Sequence, residues 1–211
     1  MDIGLKTQCG HVASALSCVE VLCKTYEGDP KAIIILSKGH GALAQYVILN
    51  ELGKISDKEL ESYYQDGGLS GHATLNKKQG IYASTGSLGH GLAIGIGYAI
   101  ANPKKRVFVL LSDGECDEGS TLESFKLIKK LEVKNIIPLI DVNGLQGFGT
   151  NEWMLLPRHQ LDAFHYYSTK GEGFGDGIEN TVKAHYVKIT PEIYNNWMKW
   201  YELKLKEQGN E

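Results

Sequence analysis

Apolar residues fall along this chain in two rhythms. Residues 107–111 (VFVLL) and 136–140 (IIPLI) are short unbroken runs rich in branched side chains, the pattern of buried strands. Between them, residues 120–131 place Leu122, Phe125, Leu127, Ile128 and Leu131 at helical spacing. Each run stops at an aspartate, Asp113 or Asp141, where a glycine-bearing turn begins. This is a strand–loop–helix–strand unit whose two loops share one carboxyl edge, with Asp113 in a solvent-facing loop beyond its strand. Ligands of open α/β sheets bind at that edge. Upstream, residues 10–27 predict a helix striped by Val12, Leu16, Val19, Leu22 and Cys23. Residues 33–53 predict a strand, a Gly-His turn and a helix with Leu43, Tyr46, Val47, Leu49 and Leu52 inward. Residues 55–64 form an acidic helix capped by Ser56, with Glu59 three positions on. The helix ending at residue 101 carries Gly91, Gly95 and Gly97, which weaken a helix and survive where backbones pass closely. Tight helix–sheet packing accounts for Gly95 and Gly97. Residues 151–164 hold at most one helix, residues 165–170 a final strand, and residues 191–206 an aromatic-rich terminal helix suited first to core packing and second to an interface. The fold class is α/β: an open, mainly parallel sheet flanked by helices.

Composition narrows the function classes. The 211 residues suit one domain, residues 1–211, and 42% hydrophobic content is enough to build its core. A net charge of −3 and the lack of a Lys/Arg stripe argue against nucleic acid. No apolar run approaches membrane length and the first residues carry no apolar leader. Cys9, Cys18, Cys23 and Cys116 show neither a CxxC pair nor zinc spacing, so reduced thiols and a cytoplasmic setting are expected. No G-x-G-x-x-G follows the first strand, which disfavours a plain dinucleotide-binding domain.

The candidate chemistry sits in loops. Asp113-Gly114 offers a carboxylate beside a residue that lets a ligand approach the backbone, and Asn143-Gly144-Leu145 offers an amide oxygen and a carbonyl. Such hard oxygen donors suit Mg²⁺ or Ca²⁺. The same residues read equally well as turn and cap residues at strand ends. His11 stands at a helix start, where its charged form is disfavoured. His40 stands between Gly39 and Gly41 before another helix, placed to donate to an anion. His72 lies in the loop GGLSGHAT. His11 and His40, taken singly, read also as structural histidines.

Together the segments resemble a family. SDGECDEG followed by DVNGLQ resembles the diphosphate–metal signature of thiamine-diphosphate enzymes of the transketolase branch, with Ser112 in place of the usual Gly. CGH resembles that family's SGH, with Val12 and Ala13 where Pro and Gly are usual. SKGHGALAQY resembles its S-K/N-G-H segment, and GHA its GHP, with Ala73 for Pro. STGSLGHG is similar to its T-G-x-L-G-Q-G loop, with His90 for Gln. KGEGFGDGIENTVKAHYV is similar to its late loop, which ends in a histidine, here His185. The resemblance covers roughly residues 8–150 and 167–188, and the chain is shortened against the family near residues 151–167.

The resemblance implies a division of labour. Asp113, Asn143 and the Leu145 carbonyl would hold Mg²⁺, or Ca²⁺, against the diphosphate; Gly114 would allow close approach and Glu118 would orient the ligands. His40 would contact the diphosphate, and Gly86, Ser87 and Leu88 the aminopyrimidine. His11, His72 and His185 would be the catalytic histidines lining thiazolium and substrate, with His185 also near the diphosphate. The implied activity is transfer of a two-carbon ketol unit between sugars or sugar phosphates. It also implies a separately encoded, pyrimidine-binding C-terminal partner carrying the activating glutamate, in an α2β2 assembly. Two alternatives stay open: a related enzyme using a 2-oxo acid or unusual sugar donor, and a non-catalytic scaffold role.

Overall fold

The computed structural model describes residues 1–146, 149–150 and 163–208. Its centre is a four-stranded parallel sheet in the order β1 (Ile33–Leu36), β2 (Val107–Ser112), β3 (Ile136–Val142), β6 (Phe164–Tyr167). Ile33 pairs with Val107, Leu110 with Leu139, and Val142 with Tyr167. A two-stranded antiparallel ribbon, β4 (Leu145–Gln146) and β5 (Gly149–Thr150), follows β3.

Alternation along the strands sorts the core into two layers. Ile34, Leu36, Leu110 and Leu139 face one way, against α2 (Val12–Leu16), α3 (Val19–Gly28) and α4 (Ala42–Glu51). Ile33, Ile35, Val107, Val109, Leu111, Ile136 and Ile140 face the other, against α6 (Gly91–Ala101) and α7 (Gly119–Lys130). Strands buried on both faces are what parallel sheets require, which is why these runs read as continuously apolar. Short helices α1 (Asp2–Thr7), α5 (Asp57–Glu61) and α8 (Lys183–Tyr186) add Ile3, Leu5, Leu60 and the fully buried Ala184 to the first layer, and α9 (Pro191–Gln208) follows them in the chain.

Several expectations change on contact with the structure. The helix expected over residues 10–27 is broken between Leu16 and Val19, where the Ser17 hydroxyl reaches across to Asp141 Oδ2 at 2.8 Å. β3 does not stop at Asp141; it runs through it to Val142, and Asp141 is a buried strand residue. Leu52 is 52% exposed rather than inward, because α4 ends one residue before it. Leu127 and Leu131 likewise face outward at the end of α7. A Cβ at Gly95 would lie 2.5 Å from Val109 Cγ2, so close helix–sheet approach explains that glycine. At Gly97 a Cβ would meet nothing within 4 Å, so packing does not explain it. The acidic helix is shorter than expected, 57–61, but its Ser56–Glu59 capping box is present on both sides. The expected helix between residues 151 and 164 and the shortening there lie mostly outside the described residues; the following strand spans 164–167. Among the described residues no helix is long and apolar enough to cross a membrane.

The terminal helix does pack on the core, through buried Ile193 and the half-buried Tyr194 and Trp197. Trp200 presses on the loop after β6 so closely that a Cβ at Gly173 would come within 2.9 Å of it.

Candidate active site

The carboxyl ends of β1, β2 and β3 bring three loops to one edge. Asp113, directly after β2, is fully buried, not solvent-facing as its place beyond a strand implied. Its Oδ1 accepts the Gly114 N–H at 2.9 Å; its Oδ2 accepts those of Asn143 at 3.0 Å and Gly144 at 2.6 Å. One carboxylate thus clasps the loop after β3 to the end of β2. The Asn143 amide oxygen accepts the Leu145 N–H at 3.1 Å, while its Nδ2 is buried with no hydrogen-bond partner among the described residues. A buried polar group without a partner is costly, and at a ligand site the ligand supplies that partner.

A second acid ties the neighbouring loops. Glu115 is fully buried and accepts the Gly89 N–H at 2.8 Å and the Ser37 hydroxyl, the latter in a short contact. Burial pushes its carboxyl above the ordinary range against the pull of those donors. Glu118, the acid singled out from sequence, lines the site next to Gly89. Gly39 and Gly86 meet back to back: a Cβ on Gly39 would fall 2.7 Å from Gly86 N. Gly86 also sits at φ 148°, which an L side chain rarely adopts, and faces the His72 ring.

Four histidines converge over this floor. Ring centroids are 4.7 Å apart for His11 and His40, 4.9 Å for His11 and His185, 5.3 Å for His40 and His185, and 4.8 Å for His40 and His72. His11 reaches its place through a left-handed backbone, φ 68° and ψ 7°, directly before α2. Such a conformation is uncommon outside glycine and marks a position held by its surroundings. Burial pushes His40 down to about 4 and His185 down to about 3. His11 is lowered as well, by burial first and then by His72. At neutral pH these three rings are therefore uncharged, each able to donate at one nitrogen and accept at the other.

The cation at this edge is one the sequence reading did not single out. Lys170 is 3% exposed, and its Nζ lies 3.5 Å from the Leu145 carbonyl and 3.4 Å from His185 Nδ1. Burial, then the neighbouring Lys38 charge, bring it down to about 8. Lys38 is also buried, paired with Asp141, which further accepts from Ser17 and Ser168. Burial alone would lower Lys38, but the Asp141 charge prevails and raises it. Lys38 is thus committed to its partner, whereas the two close contacts of Lys170 are to neutral groups.

A cavity of about 260 Å³ joins these parts. Of the residues expected from sequence, His40, Leu88, Gly114, Glu118, Leu145 and His185 line it. Asp113 and Asn143 support its wall through the clasp, and His11 and His72 adjoin it through His40. Ser87 is exposed and does not line it. Lys170, Lys38, Ser14 and Tyr186 line it without having been singled out. Ser14 carries a buried hydroxyl with no hydrogen-bond partner among the described residues. The signal for Lys170 was its place at the head of KGEG, and for Ser14 its place one turn after His11. A buried cation and unsatisfied donors suit a phosphorylated ligand, and the oxygen donors beside them suit a hard cation.

Comparison with known proteins agrees with this chemistry. Residues 30–155 match the family described as transketolase, thiamine diphosphate binding domain. The chain is 39% identical over 156 residues to an apulose-4-phosphate transketolase subunit of Actinobacillus succinogenes, covering 66% of this chain and 56% of that protein. To its namesake from Phocaeicola vulgatus it is 36% identical, covering 87% and 71%. A 6-deoxy-6-sulfo-D-fructose transketolase subunit from a Clostridium species is 31% identical, covering 69% and 58%. The chain thus spans between about half and about seven-tenths of the length of these relatives. The transketolase of Campylobacter jejuni superposes with a TM-score of 0.75 over 95% of this chain and 43% of that one; at 16% identity this speaks for the fold alone. Matched over more than half its length, with its parallel sheet and loop edge in place, this chain belongs to the transketolase family through its thiamine diphosphate binding domain.

Proposed function

We propose that this chain is the diphosphate-binding subunit of a transketolase-like enzyme, moving a two-carbon ketol unit between sugars or sugar phosphates. The observation that carries this is the meeting, in one cavity, of the Asp113-clasped loop edge, the buried Lys170 and the imidazole cluster. When bound, thiamine diphosphate supplies a thiazolium able to stabilise the carbanion left by C–C cleavage beside a carbonyl.

The chain's own groups are suited to the rest. Lys170 neutralises phosphate charge, Ser14 and the Asn143 amide offer buried donors that no described residue satisfies, and Leu88 gives an apolar wall. Asp113, the Asn143 amide oxygen and the Leu145 carbonyl would hold Mg²⁺, with the Lys170 ammonium close by to meet the phosphate charge. His11, His40 and His185, which burial keeps neutral, together with His72 take or give protons at substrate hydroxyls. The names of the relatives, which describe them as subunits, support a second chain that completes the site, most simply as two copies of each under two-fold symmetry. The same names point to a modified or branched sugar as donor. A scaffold role is disfavoured by the cost of keeping Lys170 and unsatisfied donors buried without a ligand.

The test is ketol transfer from a ketose phosphate to an aldose phosphate by the chain together with its partner subunit, with Mg²⁺ and thiamine diphosphate. Turnover lost in Asp113→Asn and Lys170→Met supports the reading; full turnover in both contradicts it.

A further inference from the structure

We propose that His11, His40 and His185 form a site for one transition-metal cation, Zn²⁺ foremost, separate from the oxygen donors at Asp113 and Asn143. Each imidazole offers one nitrogen, and all three lie within 4.8 Å of one another. A zinc ion bound at about 2.0–2.1 Å needs its nitrogens about 3.3 Å apart, so no edge of the triangle has to shrink by more than roughly 1.5 Å. The rings meet edge to face, at 73° and 74° for the two pairs that include His11, rather than in stacks that would hold the nitrogens apart.

Among the described residues two contacts bear on these nitrogens: a hydrogen bond from the His11 ring to the His185 backbone, and Lys170 beside His185. His11 Nδ1 is buried with no hydrogen-bond partner. His185 Nδ1 has Lys170 Nζ at 3.4 Å, a contact that a metal on the other ring nitrogen leaves in place. The three ligands come from three separate elements: the residue before α2, the turn after β1, and α8. The fold, not a flexible loop, therefore sets their spacing. His40 and His185 line the cavity, so the fourth coordination position opens onto it, as at zinc sites that bind an exchangeable ligand.

Donor type separates this site from the other. Imidazole nitrogen selects zinc, copper, nickel or cobalt over Mg²⁺, whereas carboxylate, amide and carbonyl oxygens select the reverse. Lys170 opposes any cation nearby, which sets the affinity below that of a dedicated zinc centre. One consequence rests on the proposed function: a metal here ties up nitrogens needed for proton transfer, so zinc inhibits. The binding itself does not depend on that reading.

The experiment is titration of the tag-free chain with cobalt chloride in excess Mg²⁺, without thiamine diphosphate, followed by zinc chloride. The expected result is one Co²⁺ per chain, with the intense visible bands of tetrahedral coordination, no thiolate charge-transfer band, and displacement by Zn²⁺. His40→Asn and His185→Gln should each weaken binding by more than about ten-fold, the least that disturbing a metal's surroundings usually does, while Cys23→Ser leaves it unchanged. Where a variant fails to fold, Zn²⁺ protection of His11, His40 and His185 from diethyl pyrocarbonate, read peptide by peptide in the wild-type chain, replaces it. No saturable binding, a thiolate band, binding undiminished in the folded histidine variants, or modification of these histidines unaffected by Zn²⁺ would each overturn the proposal.

Discussion

Asp113 Oδ2 accepts the Gly144 N–H at 2.6 Å, so the residue expected to grip a metal also holds two loops together. The same carboxylate satisfies Asn143 and Gly114. Asp113→Ala should therefore do more than remove a metal ligand. It strands part-buried donors, at up to about 1–3 kcal/mol each, visible as a lower urea midpoint. Asp113→Asn retains the shape and should lose Mg²⁺-dependent cofactor affinity with a smaller stability loss. Equal unfolding midpoints for wild type and the Ala variant would show that the clasp carries no weight.

Gly39 and Gly86 test the close approach of two loops. Gly39→Ala puts a methyl 2.7 Å from a backbone nitrogen that cannot rotate away. The loops must part, with a stability loss of about 1–3 kcal/mol and a fall in cofactor affinity. Gly97→Ala, in a helix and facing open space, should instead be neutral or stabilise by up to about 1 kcal/mol. Thermal unfolding of the two variants side by side separates these outcomes; similar melting shifts would count against the packing argument.

Acid should destabilise the chain through its histidines. His40 and His185 are held at about 4 and about 3, below their ordinary 6.5. Between 6.5 and those values the unfolded chain binds more protons than the folded one, so stability is full above pH 6.5 and is lost as the pH falls through that window. Urea midpoints measured from about pH 7 to about pH 4 should decline, and His185→Gln should flatten the profile. A wild-type midpoint constant over that range would refute the burial of neutral imidazoles.

Lys170 titrates in the opposite sense for ligand binding. It is charged below about 8 and neutral above, so affinity for a diphosphate should drop as the pH rises past that value. Lys170→Met should weaken diphosphate binding about ten- to hundred-fold, the worth of a charge-assisted hydrogen bond. It should also remove the alkaline drop. Calorimetry on both proteins at a pH one unit to either side of that value checks this, and an alkaline drop unchanged in the variant would assign it elsewhere.

Much of this was legible in the residues. Residues 107–111 and 136–140 announced central strands because a strand buried on both faces has no polar positions to confuse the pattern. Asp113, Asn143 and His40 announced themselves by standing beside glycines at strand ends. What escaped depended on tertiary neighbours. Glu115 and Glu118 lie three residues apart in one acidic run, and only the 3₁₀ turn over Gly114–Asp117 decides that Glu115 points into the core. Lys170 is an ordinary lysine in composition; its burial beside Leu145 and His185 makes it a candidate ligand. Leu52 and Leu131 misled because helical spacing does not say where a helix stops, and Gly97 because one helix had two glycines with partners and one without.

Recognition of the diphosphate end of the cofactor by this one cavity is tested most directly by titration calorimetry. Thiamine diphosphate, inorganic diphosphate and thiamine would each be titrated into the chain with and without Mg²⁺, alone and mixed with its partner subunit. Both diphosphates should bind the chain in a Mg²⁺-dependent manner, thiamine should not, and the partner should tighten thiamine diphosphate far more than inorganic diphosphate. Thiamine binding as tightly as thiamine diphosphate, or no diphosphate binding even with the partner present, would contradict the assignment of the site.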